Sequence, residues 1–168
     1  MFRNASKPLT TNEEAYEYAL SLLDRRDYGE KELVQRLKRR GASVALIRET
    51  VARLKAHDLV NEERYAQRVF EAWRRKKVYG RLHLQAELVK KQVDEAYIPV
   101  ILHMLTEEEE CQRVEAAYRQ IAQRHDKKYD CATEKGVASL VRYFAARGFG
   151  PSMIRIGLSK AKAETEEL

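Results

Sequence analysis

Slid along itself by 51 residues, the sequence of this 168-residue chain matches at eight of forty positions without a gap. Ala15 falls on Ala66, Tyr28-Gly29 on Tyr79-Gly80, Leu33 on Leu84 and Leu37 on Leu88. Ala45 meets Ala96, Ile47 meets Ile98 and Leu54 meets Leu105. The basic pairs Arg25-Arg26 and Arg39-Arg40 coincide with Lys76-Lys77 and Lys90-Lys91. A shift of 107 adds a third copy, aligning Leu33-Val34 with Leu140-Val141, Arg40-Gly41 with Arg147-Gly148 and Ile47-Arg48 with Ile154-Arg155. Self-similarity at such a period means tandem supersecondary units. A unit of about fifty residues has too little core to offset its conformational entropy, so neighbours must bury apolar stripes against one another. The expected fold is all-α: three tandem three-helix repeats stacked into an elongated, curved array. The expected boundaries are a flexible tail at 1–11, repeats at 12–58, 59–105 and 106–162, and a C-terminal tail at 163–168.

Apolar residues recur at helical spacing almost throughout. Ala15, Tyr18, Ala19, Leu22 and Leu23 form one buried stripe, and Thr11 three residues before Glu14 is a capping-box signature placing the helix start near Asn12. A second helix is expected from Glu30 to Arg40, stopped by Gly41, and a third after the N-cap Ser43. Asn61 can cap a fourth, with Glu62 and Glu63 in its first turn, Arg74 to Lys77 at its end, and Ala66, Val69, Phe70 and Trp73 inward. Phe70 and Trp73 therefore read as core, whereas Tyr65 stays open as a stacking residue. Pro99 sits about one turn into the third helix of repeat two, so that helix starts late or its first turn is distorted.

Composition excludes several function classes. No run of about 18 uncharged apolar residues exists, so no membrane span is expected. The opening Met1 to Lys7 lacks the apolar core of a secretory signal, and a cytoplasmic location is expected. Cys111 and Cys131 read as ordinary thiols, and His57, His83, His103 and His125 have no spacing suited to a metal. The run Glu107 to Glu110 after Thr106 reads as a helix N-terminus rather than a metal site. No phosphate-cradling glycine loop, nucleophile elbow or paired histidine motif is present, so no catalytic residue, metal, cofactor or small-molecule substrate is expected, and the protein is expected not to be an enzyme.

Charge carries more information. The formal net charge is +6, and residues 106–168 are balanced, so the excess lies in the first two repeats. Between Arg64 and Lys91 nine cations face only Glu71 and Glu87. Such a field favours a polyanion or an acidic protein groove. The candidate contact residues are Arg25, Arg26, Arg39, Arg40, Arg68, Arg74, Arg75, Lys76, Lys77, Arg81, Lys90 and Lys91. Tyr28-Gly29 and Tyr79-Gly80 are expected to form structural turns, the glycine relieving the backbone and the tyrosine packing across the corner with its hydroxyl in water.

The stretch Leu59-Val60-Asn61-Glu62-Glu63-Arg64-Tyr65-Ala66-Gln67-Arg68-Val69-Phe70 resembles the entry into the central repeat of the RecX regulatory family. Arg75 to Lys91 continues the likeness, keeping Gly80, Glu87-Leu88 and Lys90-Lys91 but holding His83-Leu84 where Arg-Ile is common and Gln92 where glycine is usual. Asp27 to Leu33 is similar to the family's first-repeat turn and Phe144 to Phe149 to its last repeat. The resemblance implies a non-enzymatic modulator of the RecA recombinase that lies along the RecA–DNA filament and restrains its recombinase, ATPase and co-protease activities. Implied partners are the RecA filament and the single- or double-stranded DNA within or beside it. The alternative left open by the residues is a helical protein that binds nucleic acid directly, without RecA.

Overall fold

The computed structural model describes residues 7–124 and 126–166. Among these there are nine α-helices and no strand. Helix α1 (Asn12–Leu23) starts on the expected capping box: Thr11 accepts from the Glu14 amide while the Glu14 carboxylate accepts from the Thr10 and Thr11 amides. Helix α2 (Glu30–Arg39) is closed by Gly41 at φ +77°. Helix α3 (Val44–Ala56) is capped by Ser43, whose hydroxyl accepts from the Leu46 amide at 3.2 Å. Asn61 caps α4 (Glu62–Arg74) by accepting from the Arg64 amide at 3.0 Å. Helices α5 (Arg81–Lys90) and α6 (Ile98–Met104) follow. Pro99 falls in the first turn of α6, where an amide N–H has no intrahelical partner to lose; the helix starts late. Helix α7 (Glu107–Ala122) opens on the acidic run with Thr106 as N-cap. A short 3-10 turn (Lys127–Tyr129) leads to α8 (Glu134–Ala146), and α9 (Pro151–Glu166) ends the described chain.

The expected tails need correction. Helix α9 runs through Glu166, past the boundary placed at 162. Before α1, Leu9 is buried, its amide donates to the Arg40 carbonyl at 2.9 Å, and Pro8 lies against Gly41, so this stretch is anchored on α2. Residues 1–6 of the expected N-terminal tail, and His125, lie outside the described residues.

The described chain forms two compact units. One comprises the sequence up to Val69 together with Lys90–Tyr97; the other comprises Phe70–Val89 and everything from Ile98. In the first, α1 to α3 enclose two adjoining apolar clusters, one around Ala15, Leu37, Ile47 and Val51, the other around Ala19, Leu22, Leu33 and Leu54. In the second, α7, α8 and α9 close around Val114, Ala117, Leu140, Phe144 and Met153. The repeat register holds at the core: Leu33, Leu84 and Leu140 are fully buried, as are Leu37, Leu88 and Phe144. It also holds at the turn after each second helix. Gly41, Gln92 and Gly148 occupy equivalent positions, and all three are left-handed, at φ +77°, +58° and +75°.

Candidate polyanion-binding groove

The last turn of α2 carries Arg36 and Arg39, three residues apart and therefore neighbours on one helix face. In the first unit they line a groove of about 250 Å³ together with Arg26, Glu32, Gln35, Lys90, Lys91 and Gln92. Every lining residue is charged or an amide. Glu32 is the sole carboxylate of the lining. It accepts from Arg26 at 2.5 and 3.1 Å and from Arg36 at 3.4 Å. Burial pushes the Glu32 carboxyl upward, but the hydrogen bonds and charge of Arg26 and Arg36 outweigh it and leave the group below the usual carboxylate range. The Arg26 guanidinium is raised in return by its bond to Glu32. Among the described residues Arg39, Lys90 and Lys91 make no ion pair, so three positive charges of the groove stand uncompensated.

Two tyrosines build this site. Tyr28 is buried beneath Arg26, whose guanidinium lies 3.8 Å from the ring centroid. Tyr65, left open as a stacking residue, is buried too: its hydroxyl donates to the Lys91 carbonyl at 3.0 Å and its ring lies against Gly29. Gly29 has φ −74°, which any residue adopts. Its requirement is space, since a Cβ there would stand 2.8 Å from the Tyr65 ring. Gly80 is likewise filled by the backbone of Gly148, with a Cβ-to-carbonyl distance of 2.6 Å. Close approach, rather than the backbone angle assumed from sequence, makes both glycines necessary. Tyr79 stacks on His83 at 4.1 Å, and His83 Nδ1 accepts from the Trp73 indole at 2.9 Å.

The other candidate cations separate into free and committed. Arg25, Arg75 and Lys77 are exposed. Arg40 stacks on Tyr18 and donates to the Lys7 carbonyl at 3.3 Å, and Arg68 pairs with Asp27. Lys76 lies 3.6 Å from Glu87. Arg74 grips Glu109 with bonds of 3.1 and 2.9 Å. Arg81 turns inward most completely: its amide and side chain both donate to Glu110, and its terminal nitrogens cap the carbonyls of Leu102 and Leu105 at the end of α6. The local count of nine cations against two carboxylates therefore does not survive folding. Asp27, Asp58, Glu109 and Glu110, all outside the Arg64–Lys91 window, come in as counter-charges. Arg113, absent from the candidates, sits with Glu110 at 5% exposure and donates to Glu109 and to the Arg74 and Lys76 carbonyls, with its guanidinium 4.2 Å from the Trp73 ring centroid. Its only sequence signal is the Glu109–Arg113 spacing of four residues.

Residues 15–54 match the family model for the first three-helix domain of RecX. The chain is 33% identical over 93 residues to the regulatory protein RecX of Chlorobium phaeobacteroides, spanning 62% of that relative's length. Against the regulatory protein RecX of Vibrio campbellii it is 30% identical over 162 residues, covering 95% of this chain and 97% of the relative. The chain belongs to the RecX family. The fold agrees: a crystal structure of RecX from Lactobacillus salivarius superposes with a TM-score of 0.79 at 19% identity, covering 90% of this chain and 97% of that one. Within this RecX chain the matched domain, 15–54, contains the Arg26, Glu32, Arg36 and Arg39 side of the groove. Lys90, Lys91 and Gln92 come from outside it, brought in where the Tyr65 hydroxyl holds the Lys91 carbonyl.

Proposed function

We propose that this RecX-family chain regulates the RecA recombinase by binding the RecA–DNA filament, and that the groove of the first unit is its contact with the filament's anionic groups. The carrying observation is the three uncompensated cations, Arg39, Lys90 and Lys91, held over a lining with no apolar anchor. Five cations around one carboxylate repel one another unless an external anion arrives, and phosphates or clustered carboxylates supply it. The protein acts by occupancy rather than by chemistry, and recombinase, ATPase and co-protease activities fall together as filament sites are filled.

The test is inhibition of RecA-catalysed ATP hydrolysis across a salt series. The double reversal Arg39→Glu with Lys91→Glu is expected to weaken inhibition at least tenfold and to flatten its salt dependence, because each lost phosphate contact removes about 0.7–0.9 from the log–log slope. Reversal of the exposed pair Arg155 and Lys162 is the control and is expected to change little. Equal loss from both pairs would place the functional surface elsewhere. The lining of charged and amide side chains also favours a second reading, direct binding of nucleic-acid backbone without RecA. Inhibition at ratios too sparse to coat the DNA separates the two, since a mere DNA binder must cover the strand.

A further inference from the structure

Helix α5 keeps the inner face of its repeat and changes the outer one. Leu84 and Leu88 are buried like their α2 counterparts Leu33 and Leu37. The outward positions of α2 are Lys31, Gln35 and Lys38, all exposed; the same positions of α5 hold Leu82, Ala86 and Val89. These lie at i, i+4 and i+7, along one side of the helix. Leu82 is 53% exposed and Val89 60%. The conversion recurs on α6, where Val100 and Met104, 58% and 44% exposed, stand at the positions held by Glu49 and Arg53 in α3.

The chain thus contains its own control. Helix α2 folds and buries its leucines with Lys31 and Lys38 at the positions of Leu82 and Val89, so leucine and valine are not needed there to make the fold. Exposed apolar side chains aligned along one side of a helix mark an interaction site. We infer that the outer face of α5 docks a protein: an apolar ridge bordered by carboxylates on the recombinase subunits, an inference that rests on the filament reading above. Charge selects this occupant. The one carboxylate of α5, Glu87, is held by Lys76, while Arg75 and Lys77 in the connection before α5 make no ion pair among the described residues. A second copy of this chain would set such cations against each other across a two-fold axis. A nucleic-acid backbone has no apolar surface to fill the stripe. The groove of the first unit and the α5 face accordingly have different ligands, phosphate-like anions for one and protein for the other.

The experiment uses the full chain with Leu82→Lys and Val89→Lys, the residues of its own first repeat. Three quantities are measured: inhibition of RecA ATPase on poly(dT), binding of the chain alone to labelled poly(dT), and sedimentation over a concentration series, with thermal unfolding as the check on folding. Expected are a loss of inhibition of at least tenfold, unchanged or tighter DNA binding and an unshifted melt. The conservative pair Leu82→Met and Val89→Leu retains inhibition, which ties the effect to apolar contact. Wild type and lysine variant inhibiting alike would overturn the α5 proposal while leaving the filament reading intact. Wild type failing to inhibit at all would instead remove the filament reading, and the named occupant with it. A wild-type dimer that the lysine pair dissociates would make a second copy the occupant and overturn the proposal.

Discussion

Gln92 departs both from the family pattern and from what its backbone geometry favours. It stands at φ +58°, in a position that Gly41 and Gly148 fill in the other repeats. A left-handed conformation costs a non-glycine residue roughly 1–2 kcal/mol, and glycine recovers part of that against its greater unfolded entropy. Gln92→Gly is therefore expected to stabilise the protein by about 0.5–1 kcal/mol in denaturant melts; a loss of stability would mean that the 3.4 Å amide contact with Gln35 outweighs the strain. Arg113 is the opposite case, a buried cation whose removal leaves the Arg74 and Lys76 carbonyls and part of Glu109 unpaired. Arg113→Ala is expected to cost about 3–5 kcal/mol, and Arg113→Lys to recover little, because an ammonium cannot replace the planar fork. A melt within 1 kcal/mol of wild type, as an order-of-magnitude bound, would show the cluster to be replaceable.

At the scale of elements, helix starts were the most legible feature. Thr11, Ser43, Asn61 and Thr106 each accept from an amide three residues on, a local interaction that sequence spacing encodes directly. Helix ends and connections were less so. Nothing local distinguishes the Leu9 anchor from a tail, because its partner is the Arg40 carbonyl on another helix. The inward positions fix each helix's packing, and Leu37→Ala or Leu88→Ala is expected to lose about 2–5 kcal/mol through transfer and cavity terms. Lys31→Ala, on the outward face of α2, is expected to change stability by less than about 0.5 kcal/mol. Glu115 and Gln120 are unsuitable as neutral surface sites. Glu115 pairs with Arg119 and Lys160, and Gln120 lies 3.3 Å from the Tyr143 hydroxyl.

Over the whole molecule, paired carboxylates set the response to acid. Glu14 is lowered from 4.5 to about 2, chiefly by the Thr10 amide and then by Lys7. Burial raises Glu109, but Arg113 and Arg74 outweigh it and hold it low, and Arg64 with Asn61 lowers Asp58. Glu32 follows the same pattern in the groove. A carboxylate whose folded pKa is depressed binds its proton more readily once unfolded. For Glu14 that stabilisation is complete above the ordinary value of 4.5 and is lost as pH falls toward the folded value of about 2; Glu109, Asp58 and Glu32 lose theirs as pH falls below their own ordinary values. Denaturant midpoints are expected to be flat from pH 7 to about 5 and to decline below about 4.5. A midpoint unchanged at pH 3 would show that these pairs persist in the unfolded chain.

What the sequence determined by itself is what short-range and periodic physics controls: the all-α class, the repeat register, the inward leucines and the helix caps. Core positions were legible because burying an apolar stripe demands the same spacing in every repeat. The charged surface was not, because an ion pair needs only proximity in space, and Glu109 and Glu110 reach Arg74 and Arg81 from 35 and 29 positions away. Counting charge along the chain therefore overstated the free cations of Arg64–Lys91. It also missed the groove as a unit, since Arg36, Gln35 and Gln92 acquire meaning only where Tyr65 brings Lys91 beside α2. Glycine roles divide in the same way. The left-handed turn at Gly41 is a local backbone demand that the residue type announces, whereas the close approaches at Gly29 and Gly80 exist only once a second segment has packed against them.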